Sequence, residues 1–160
     1  MATKLIQAIP GMPKPVTDSE VERFLVESKG MVQFATIDEE GYPIVQPIWF
    51  LYDRDTGKIY SGTRKVTRKI ANIKRNPDKV YFSIDDENFP YKGVKGRAEA
   101  RLIEEPKDVL PIVEKINLKY LGTNEHPLAQ MLIENARSGE EVLIELTPKF
   151  FSAWDFAKAQ

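Results

Sequence analysis

Residues 58–77 read KIYSGTRKVTRKIANIKRNP, a strand-like run that passes through a basic segment into a short helix. The basic segment, Arg64–Lys69, holds four cations in six residues, although the whole chain has a formal net charge of -1. Its positive charge is therefore local, which favours a site for one anionic group. Thr67 is the natural N-cap of the helix. Unpaired amides at a helix N-terminus, together with these cations, suit a phosphate monoester. A solvated basic loop is the alternative interpretation.

The residues before this segment alternate between apolar and polar side chains, which predicts antiparallel strands. Pro43 and Pro47 cannot donate ladder hydrogen bonds, so the second strand is expected to be an edge strand, bulged, or turned toward a ligand over part of its length. The three predicted strands are MVQFATI (31–37), YPIVQPIWFLY (42–52) and KIYSG (58–62).

The end of the second strand, residues 47–50, carries aromatic side chains one hairpin before the basic segment. A planar ligand could lie on the sheet there while its phosphate meets the helix. Core packing is the simpler role for Trp49. Trp154 is interpreted as a core or subunit-interface residue by default, and as a cofactor wall by hypothesis.

Helical spacing predicts three further helices. Thr17 and Glu20 form a capping box for a first helix that ends by Gly30. A broad apolar face after Pro106 predicts a long helix, and a short one follows over residues 128–136.

Later strands are expected in residues 79–85, 91–104 and 141–156, where Gly93 and Gly96 mark bends or a close backbone approach. Prolines suggest that residues 1–16 form an extended arm. Residues 17–160 are then a single α+β domain, mainly β, whose sheet could close as a barrel.

Composition excludes several classes of protein. The chain has no cysteine and one histidine, His126, which argues against disulfides, thiolate chemistry and the usual metal sites. His126 is a weak candidate for a haem ligand, and a surface or capping role is the simpler interpretation. An isoelectric point near 6.0 and the lack of a recognised motif argue against nucleic acid as a partner. Without an export signal or a long apolar run, the expected location is cytoplasmic, with no membrane partner.

Three stretches occur in an order that resembles the pyridoxamine 5'-phosphate oxidase-like, FMN-binding split-barrel family. They are FATIDEEGYPIVQPIWFLYD (34–53), KIYSGTRKVTRKIANIKRNP (58–77) and YKGVKGRAEA (91–100). The resemblance covers roughly residues 18–155. It implies a six-stranded antiparallel split β-barrel with flanking helices, which forms a homodimer and binds FMN at the subunit interface.

The resemblance also implies roles for individual residues. Thr67, Arg68 and Lys69 match the residues that hold the phosphate, and Ser61, Gly62 and Thr63 match the neighbouring strand end. Tyr91 matches a position contributed by the other subunit. Gln46 to Trp49 match the strand along the isoalloxazine ring. The candidate cofactor-binding residues are Gln46, Pro47, Ile48, Trp49, Ser61, Gly62, Thr63, Arg64, Thr67, Arg68, Lys69, Tyr91 and Trp154.

Two departures bear on the activity. Gln46 occupies the position of an arginine in the oxidase, and the oxidase's C-terminal arginine-histidine-arginine block has no counterpart before Gln160. The first hairpin and the glycine-bearing strand are more similar to short, deazaflavin-dependent members. The expected function is that of an FMN-binding, flavin-dependent oxidoreductase acting on a small molecule. The alternatives are a reductase that uses the deazaflavin F420, or a flavin-binding module without turnover. The sequence identifies no catalytic acid or base.

Overall fold

The computed structural model describes residues 3–159, and within that range the chain forms nine strands and four α-helices. Residues 1, 2 and 160, which belong to the expected arm and the expected domain, lie outside it. The strands are β1 (Lys4–Gln7), β2 (Val32–Ile37), β3 (Pro43–Ile48), β4 (Leu51–Asp53), β5 (Lys58–Arg64), β6 (Val80–Asp86), β7 (Lys92–Ile103), β8 (Glu141–Pro148) and β9 (Phe150–Asp155). The helices are α1 (Asp18–Glu27), α2 (Arg68–Arg75), α3 (Pro106–Leu121) and α4 (Pro127–Ser138), and a 3₁₀ turn covers Phe156–Ala159.

The strands hydrogen-bond in the order β3-β2-β6-β7-β8-β5-β4. Strand β7 changes partner along its length, because Lys92–Lys95 pair with β9 whereas Ala98–Ile103 pair with β8. Strand β9 also pairs in parallel with β1. The expected mainly β, α+β class is confirmed. The expected number of six strands is wrong, because the run 42–52 breaks at Trp49 and Phe50 into β3 and β4, and β1 and a separate β9 add to the count.

Local signals set several elements as expected. Thr17 Oγ1 accepts a hydrogen bond from the Glu20 amide at 3.3 Å, and the Glu20 carboxylate accepts one from the Thr17 amide at 2.8 Å. This capping box begins α1, which ends at Glu27, before Gly30. The edge position expected of β3 from its two prolines is confirmed.

The N-terminal segment is extended, and Lys4–Gln7 add a strand along β9. Gln7 ties the end of this segment to the start of the domain, because its side-chain amide donates to the Val16 carbonyl at 2.9 Å and accepts from the Val16 amide at 2.8 Å. Both glycines of β7 meet close neighbours. A Cβ at Gly93 would clash with Trp154, and one at Gly96 would clash with the Phe150 carbonyl, so the expected close approach is confirmed.

Two apolar clusters lie on opposite sides of β5 and β8. The larger one packs α1 and α2 against the sheet, with Phe34 and Phe82 at its centre. The smaller one packs α3 and α4 against Tyr60 and Leu143. Alternate residues of β5 therefore face different clusters. In the described part of the chain, none of the helices combines the length and the apolar character needed to cross a membrane.

Candidate functional site

A groove of about 290 Å³ lies between the end of β3 and the paired strands β5 and β8. It brings together four of the predicted site residues. These are Pro47, Ile48, Trp49 and Gly62, and the other lining residues are Met31, Val113, Leu132 and Glu141. Most of these side chains are apolar, and Glu141 is the one acidic residue among them.

Tyr120 and Lys119, at the C-terminal end of α3, fix the chain at the break between β3 and β4. The Tyr120 ring stacks on Trp49, with centroids 4.8 Å apart and planes 4° from parallel. The Tyr120 hydroxyl accepts from the Phe50 amide at 3.1 Å and donates to the Gly30 carbonyl at 2.7 Å. Lys119 Nζ donates to the Phe50 carbonyl at 2.9 Å. Trp49 is therefore a fixed wall of the groove, and burial raises the pKa of Tyr120 to about 12, which keeps its donor proton in place.

Strand β5 sends its residues to alternate sides. Gly62 faces the groove, whereas Ser61 and Thr63 are buried on the other side. Thr63 Oγ1 lies 3.5 Å from Thr67 Oγ1 at the start of α2. The predicted strand end and the predicted helix N-terminus therefore meet, one residue beyond the groove.

The N-terminus of α2 presents unused donors. Thr67 is the N-cap residue, as expected, but its side chain makes no capping hydrogen bond. The amides of Ile70 and Ala71 bond to the Thr67 carbonyl. The first-turn amides of Arg68 and Lys69 have no acceptor among the described residues, as is usual for this position in a helix. Two amides without acceptors and two hydroxyls therefore lie at the start of α2, and donors of this kind suit an anion.

A buried contact fixes α2 on the sheet. The Asn72 side-chain amide donates to Thr36 Oγ1 of β2 at 3.0 Å, and both residues are buried. Ile70 and Ile73 pack into the larger apolar cluster, as the helical spacing predicted. The orientation of the α2 N-terminus therefore depends on the core.

The predicted cationic residues differ in how close they lie to carboxylates that would neutralise their charges. Arg64 forms an exposed ion pair with Glu140 at 2.9 Å. Arg68 lies 4.0 Å from Asp38 and 3.8 Å from Glu39, on the turn between β2 and β3. Lys69 is half-buried, and desolvation lowers its pKa while the nearby Glu141 acts in the opposite direction.

Glu141, the first residue of β8, is the charged groove residue that the sequence did not predict; the apolar residues Met31, Val113 and Leu132 were not predicted either. The Glu141 side chain is buried, and within residues 3–159 its Oε2 atom has no hydrogen-bond partner. Burial raises its pKa to about 7, although the charges of Lys69 and Arg64 oppose the shift. The available signal was strand alternation, which puts Glu141 on the same face as Leu143 and therefore toward the smaller cluster.

Three further predicted residues line neither the groove nor the start of α2 in the same chain. Gln46 pairs across from Phe34 within β3 and β2. Tyr91 packs edge-on against Phe89 and Phe156. Trp154 lies beside Gly93, with Lys95 Nζ 5.8 Å from its ring centroid.

His126 is the N-cap of α4, where its Nδ1 accepts a hydrogen bond from the Leu128 amide at 3.1 Å. The capping role expected for this residue is confirmed.

Comparison with solved structures finds the same fold in several proteins. A conserved hypothetical protein from Mycobacterium tuberculosis is 22% identical, with a TM-score of 0.76 over 91% of this chain and 89% of that one. An F420 reductase is 26% identical, with a TM-score of 0.64 over 80% of this chain and 93% of that one. The haem storage protein HutZ from Vibrio cholerae is 15% identical, with a TM-score of 0.64 over 86% of this chain and 93% of that one.

No curated protein sequence matches the chain significantly. The family model for pyridoxamine 5'-phosphate oxidase, however, matches residues 17–155. This span contains the groove, the basic segment and both apolar clusters, and it agrees with the range of the resemblance seen in the sequence. Because the match covers most of the chain and the related structures share its split-barrel fold, the protein belongs to the pyridoxamine 5'-phosphate oxidase family.

Proposed function

We propose that the protein binds a flavin nucleotide, either FMN or the deazaflavin F420, and acts with it as an oxidoreductase on a small molecule. The observation that carries the proposal is the closeness of the groove to the α2 N-terminus. Glu141 lines the groove, and its carboxyl is close enough to Lys69, in the first turn of α2, for each to affect the pKa of the other. A ligand with a planar ring and a phosphate would span these two features.

The donor set suits a phosphate group. Hydroxyls of Thr63 and Thr67, the amides of Arg68 and Lys69, and the Lys69 ammonium combine hydrogen bonds with positive charge. Arg64 lies at the end of the same strand and would add a second cation once it leaves Glu140. The half-buried position of Lys69 strengthens its attraction to an anion, because fewer waters screen it.

The groove suits a planar ring. Ile48, Val113 and Leu132 supply apolar surface, and Trp49 is fixed by its stack on Tyr120. A bound flavin would supply the hydride or electron chemistry, whereas the protein positions it and compensates its phosphate charge. No acid or base is required of the chain for that role.

The resident cofactor is best tested as a pair of alternatives. Family membership favours FMN, and the F420 reductase at 26% identity favours F420. A module that binds flavin without turnover is the third alternative, since the groove does not identify a substrate.

We also propose that the protein forms a homodimer with the cofactor at the subunit interface. The groove is open to solvent on one side in a single chain. Val45, Ala35 and Tyr81 lie side by side in register on β3, β2 and β6, and Val45 is 60% exposed and Tyr81 38% exposed. Exposed apolar strips of this kind are typical of protein interfaces. Tyr91 and Trp154, which lie away from the groove of their own chain, would then be available to the partner's cofactor.

The deciding experiment is a fluorescence titration of the full-length protein with FMN and, separately, with F420. Lys69→Ala and Thr67→Val are expected to weaken binding about tenfold each, because both remove a phosphate contact. Lys74→Ala is the matched control, since Lys74 lies at the other end of α2 and is exposed. If neither ligand binds, or if Lys74→Ala weakens binding as much as Lys69→Ala, the proposed function is wrong.

Light scattering in the same buffer tests the homodimer. Val45→Lys places a charge at the most exposed residue of the apolar strip, on its edge strand, and is expected to shift the protein toward the monomer. A wild-type protein that remains monomeric at high concentration would exclude a cofactor site shared between subunits.

A further inference from the structure

Glu141 is a buried acid that the proposed function does not use. Its side chain is 4% exposed, and among the described residues no partner satisfies its Oε2 atom. Buried polar groups without a partner are uncommon in folded proteins and call for an explanation. We propose that Glu141 is a cofactor-binding residue whose neutral carboxylic acid donates a hydrogen bond to the ring of the bound flavin. The inference rests on the proposed function and adds to it a residue and its protonation state.

Glu141 lies beside the proposed site of the ring, and its charge also interacts with Lys69 and Arg64 at the phosphate end. It lines the groove together with Gly62 and Trp49. Its Oε1 atom lies 2.9 Å from the place where a Cβ of residue 62 would be, so the glycine leaves room for the carboxyl beside the groove. The Thr63 and Thr67 hydroxyls, which mark the phosphate end, face the other side of β5.

The charges around Glu141 do not keep it ionised. Lys69 approaches from α2 and Arg64 from β5, and Glu140 directly precedes Glu141 in the chain, outside β8. Arg64 is already paired with Glu140 at 2.9 Å. The groove residues from β3, α3 and α4 are uncharged, namely Ile48, Val113 and Leu132. Burial therefore dominates and raises the pKa of Glu141 to about 7.

A neutral carboxyl matches the chemistry of a flavin ring. It carries one O–H donor and one carbonyl acceptor, whereas an ionised carboxylate only accepts. The pyrimidine part of flavin and deazaflavin rings presents carbonyl acceptors next to an N–H donor. An ionised carboxylate would also repel the ligand's phosphate in a groove of low polarity. Binding is therefore coupled to uptake of a proton by Glu141 whenever the free protein has it ionised.

The test compares the dissociation constants of riboflavin and FMN between pH 6 and pH 8. Riboflavin has the same ring but no phosphate, so its binding is free of the phosphate's own titration near pH 6. For wild-type protein, a requirement for the neutral form of a group with a pKa of about 7 weakens riboflavin binding about tenfold over this range. Glu141→Gln keeps a neutral side chain with N–H donors, and is expected to bind equally well at both pH values.

Glu140→Gln is the matched control. It removes the neighbouring exposed carboxylate, which is paired with Arg64, and is expected to leave the pH dependence of riboflavin binding in place. Calorimetry of the wild-type protein in two buffers of different ionisation enthalpy gives an independent readout. Binding is expected to take up nearly one proton at pH 8 and almost none at pH 6, which requires no variant to fold.

The outcomes separate this inference from the proposed function. If riboflavin, FMN and F420 all fail to bind the wild-type protein at every pH, the proposed function fails and the role of Glu141 falls with it. If the wild type binds but Glu141→Gln keeps the tenfold pH dependence, only the role of Glu141 is overturned. A pH effect of Glu141 seen with FMN and absent with riboflavin would also overturn it, because the carboxyl would then act through Lys69 on the phosphate.

Discussion

Glu141 and Glu145 lie on the same face of β8, and each is 4% exposed, yet their surroundings differ. Glu145 accepts hydrogen bonds from Lys58 Nζ at 3.1 Å, Tyr60 Oη at 3.1 Å and Arg101 Nε at 3.0 Å. Glu141 lines the groove, and its Oε2 atom has no partner in the described part of the chain. The two ends of one strand thus bury the same side chain with opposite results.

The pKa values follow from these partners. Burial pushes the pKa of Glu145 upward, but hydrogen bonds from Arg101 and Lys58 more than offset it and leave it below the ordinary value. For Glu141 burial dominates, and the pKa rises to about 7. A buried carboxylate that has its hydrogen-bond donors supports the fold, whereas one that lacks them is available to bind a ligand.

The largest effect on stability is expected at Glu145, the buried carboxylate that has its hydrogen-bond partners. Glu145→Ala leaves Lys58, Arg101 and the Tyr60 hydroxyl without their shared acceptor and removes a buried side chain. We expect it to lower the free energy of unfolding by about 4 kcal/mol at pH 7. Urea denaturation of wild type and variant measures this difference. A loss below about 1 kcal/mol would show that the three partners are equally stable in water, and the contrast with Glu141 would disappear.

Substitution of Glu141, whose Oε2 atom has no hydrogen-bond partner among the described residues, is expected to stabilise the protein. Because folding raises the pKa of Glu141 from 4.5 to about 7, its contribution to stability is present below pH 4.5 and is lost as the pH rises through 7. Glu141→Gln lacks this loss and is expected to exceed wild type by about 3 kcal/mol at pH 8, with less than 1 kcal/mol of advantage near pH 5. Denaturation curves at the two pH values measure the change. A constant difference would contradict the assignment.

The parts of the molecule that the sequence predicted are those specified locally. The capping box of Thr17 and Glu20 set the start of α1, and the prolines of β3 marked an edge strand. Thr67 marked the start of α2, and the groove does contain Pro47, Ile48, Trp49 and Gly62. Each of these features depends on residues close together in the chain.

The features that the sequence did not predict depend on distant contacts. Tyr120 reaches Phe50 and Gly30 across the fold. Pro47 indicated an edge or irregular strand, but no local signal placed the break between β3 and β4 at Trp49 and Phe50. Glu141 has the same residue type and strand face as Glu145, so alternation alone cannot tell which carboxyl has partners. That distinction requires Lys58 and Arg101, which only the folded sheet brings to one of them.

A smaller effect is expected from Tyr120, which stacks on a wall of the groove, and from Tyr60, which donates a hydrogen bond to Glu145. Tyr120→Phe keeps the stack on Trp49 but leaves the Phe50 amide and the Gly30 carbonyl unsatisfied, at a cost of about 1.5 kcal/mol. Since it loosens a wall of the groove, riboflavin binding is expected to weaken about fivefold. Tyr60→Phe is the matched control, because it removes a hydrogen bond to Glu145 at the other end. It is expected to cost about 1 kcal/mol with no change in riboflavin affinity, and equal losses of affinity would contradict the separation of the two ends.

The smallest effect on stability is expected at two exposed ion pairs, only one of which is expected to affect ligand binding. Arg64 and Glu140 are 2.9 Å apart, as are Lys149 and Glu99, and the side chains of both pairs are at least half exposed. Arg64→Ala and Lys149→Ala should each change the free energy of unfolding by no more than about 0.5 kcal/mol, because solvent screens exposed ion pairs. Only Arg64 adjoins the α2 N-terminus, so only Arg64→Ala is expected to weaken FMN binding, by about tenfold, with little effect on riboflavin. Titrations of both variants with both ligands measure this. If the two variants bind FMN equally well, Arg64 does not belong to the phosphate site, and Lys69 remains as its cation. The two ion pairs would then differ neither in stability nor in ligand binding.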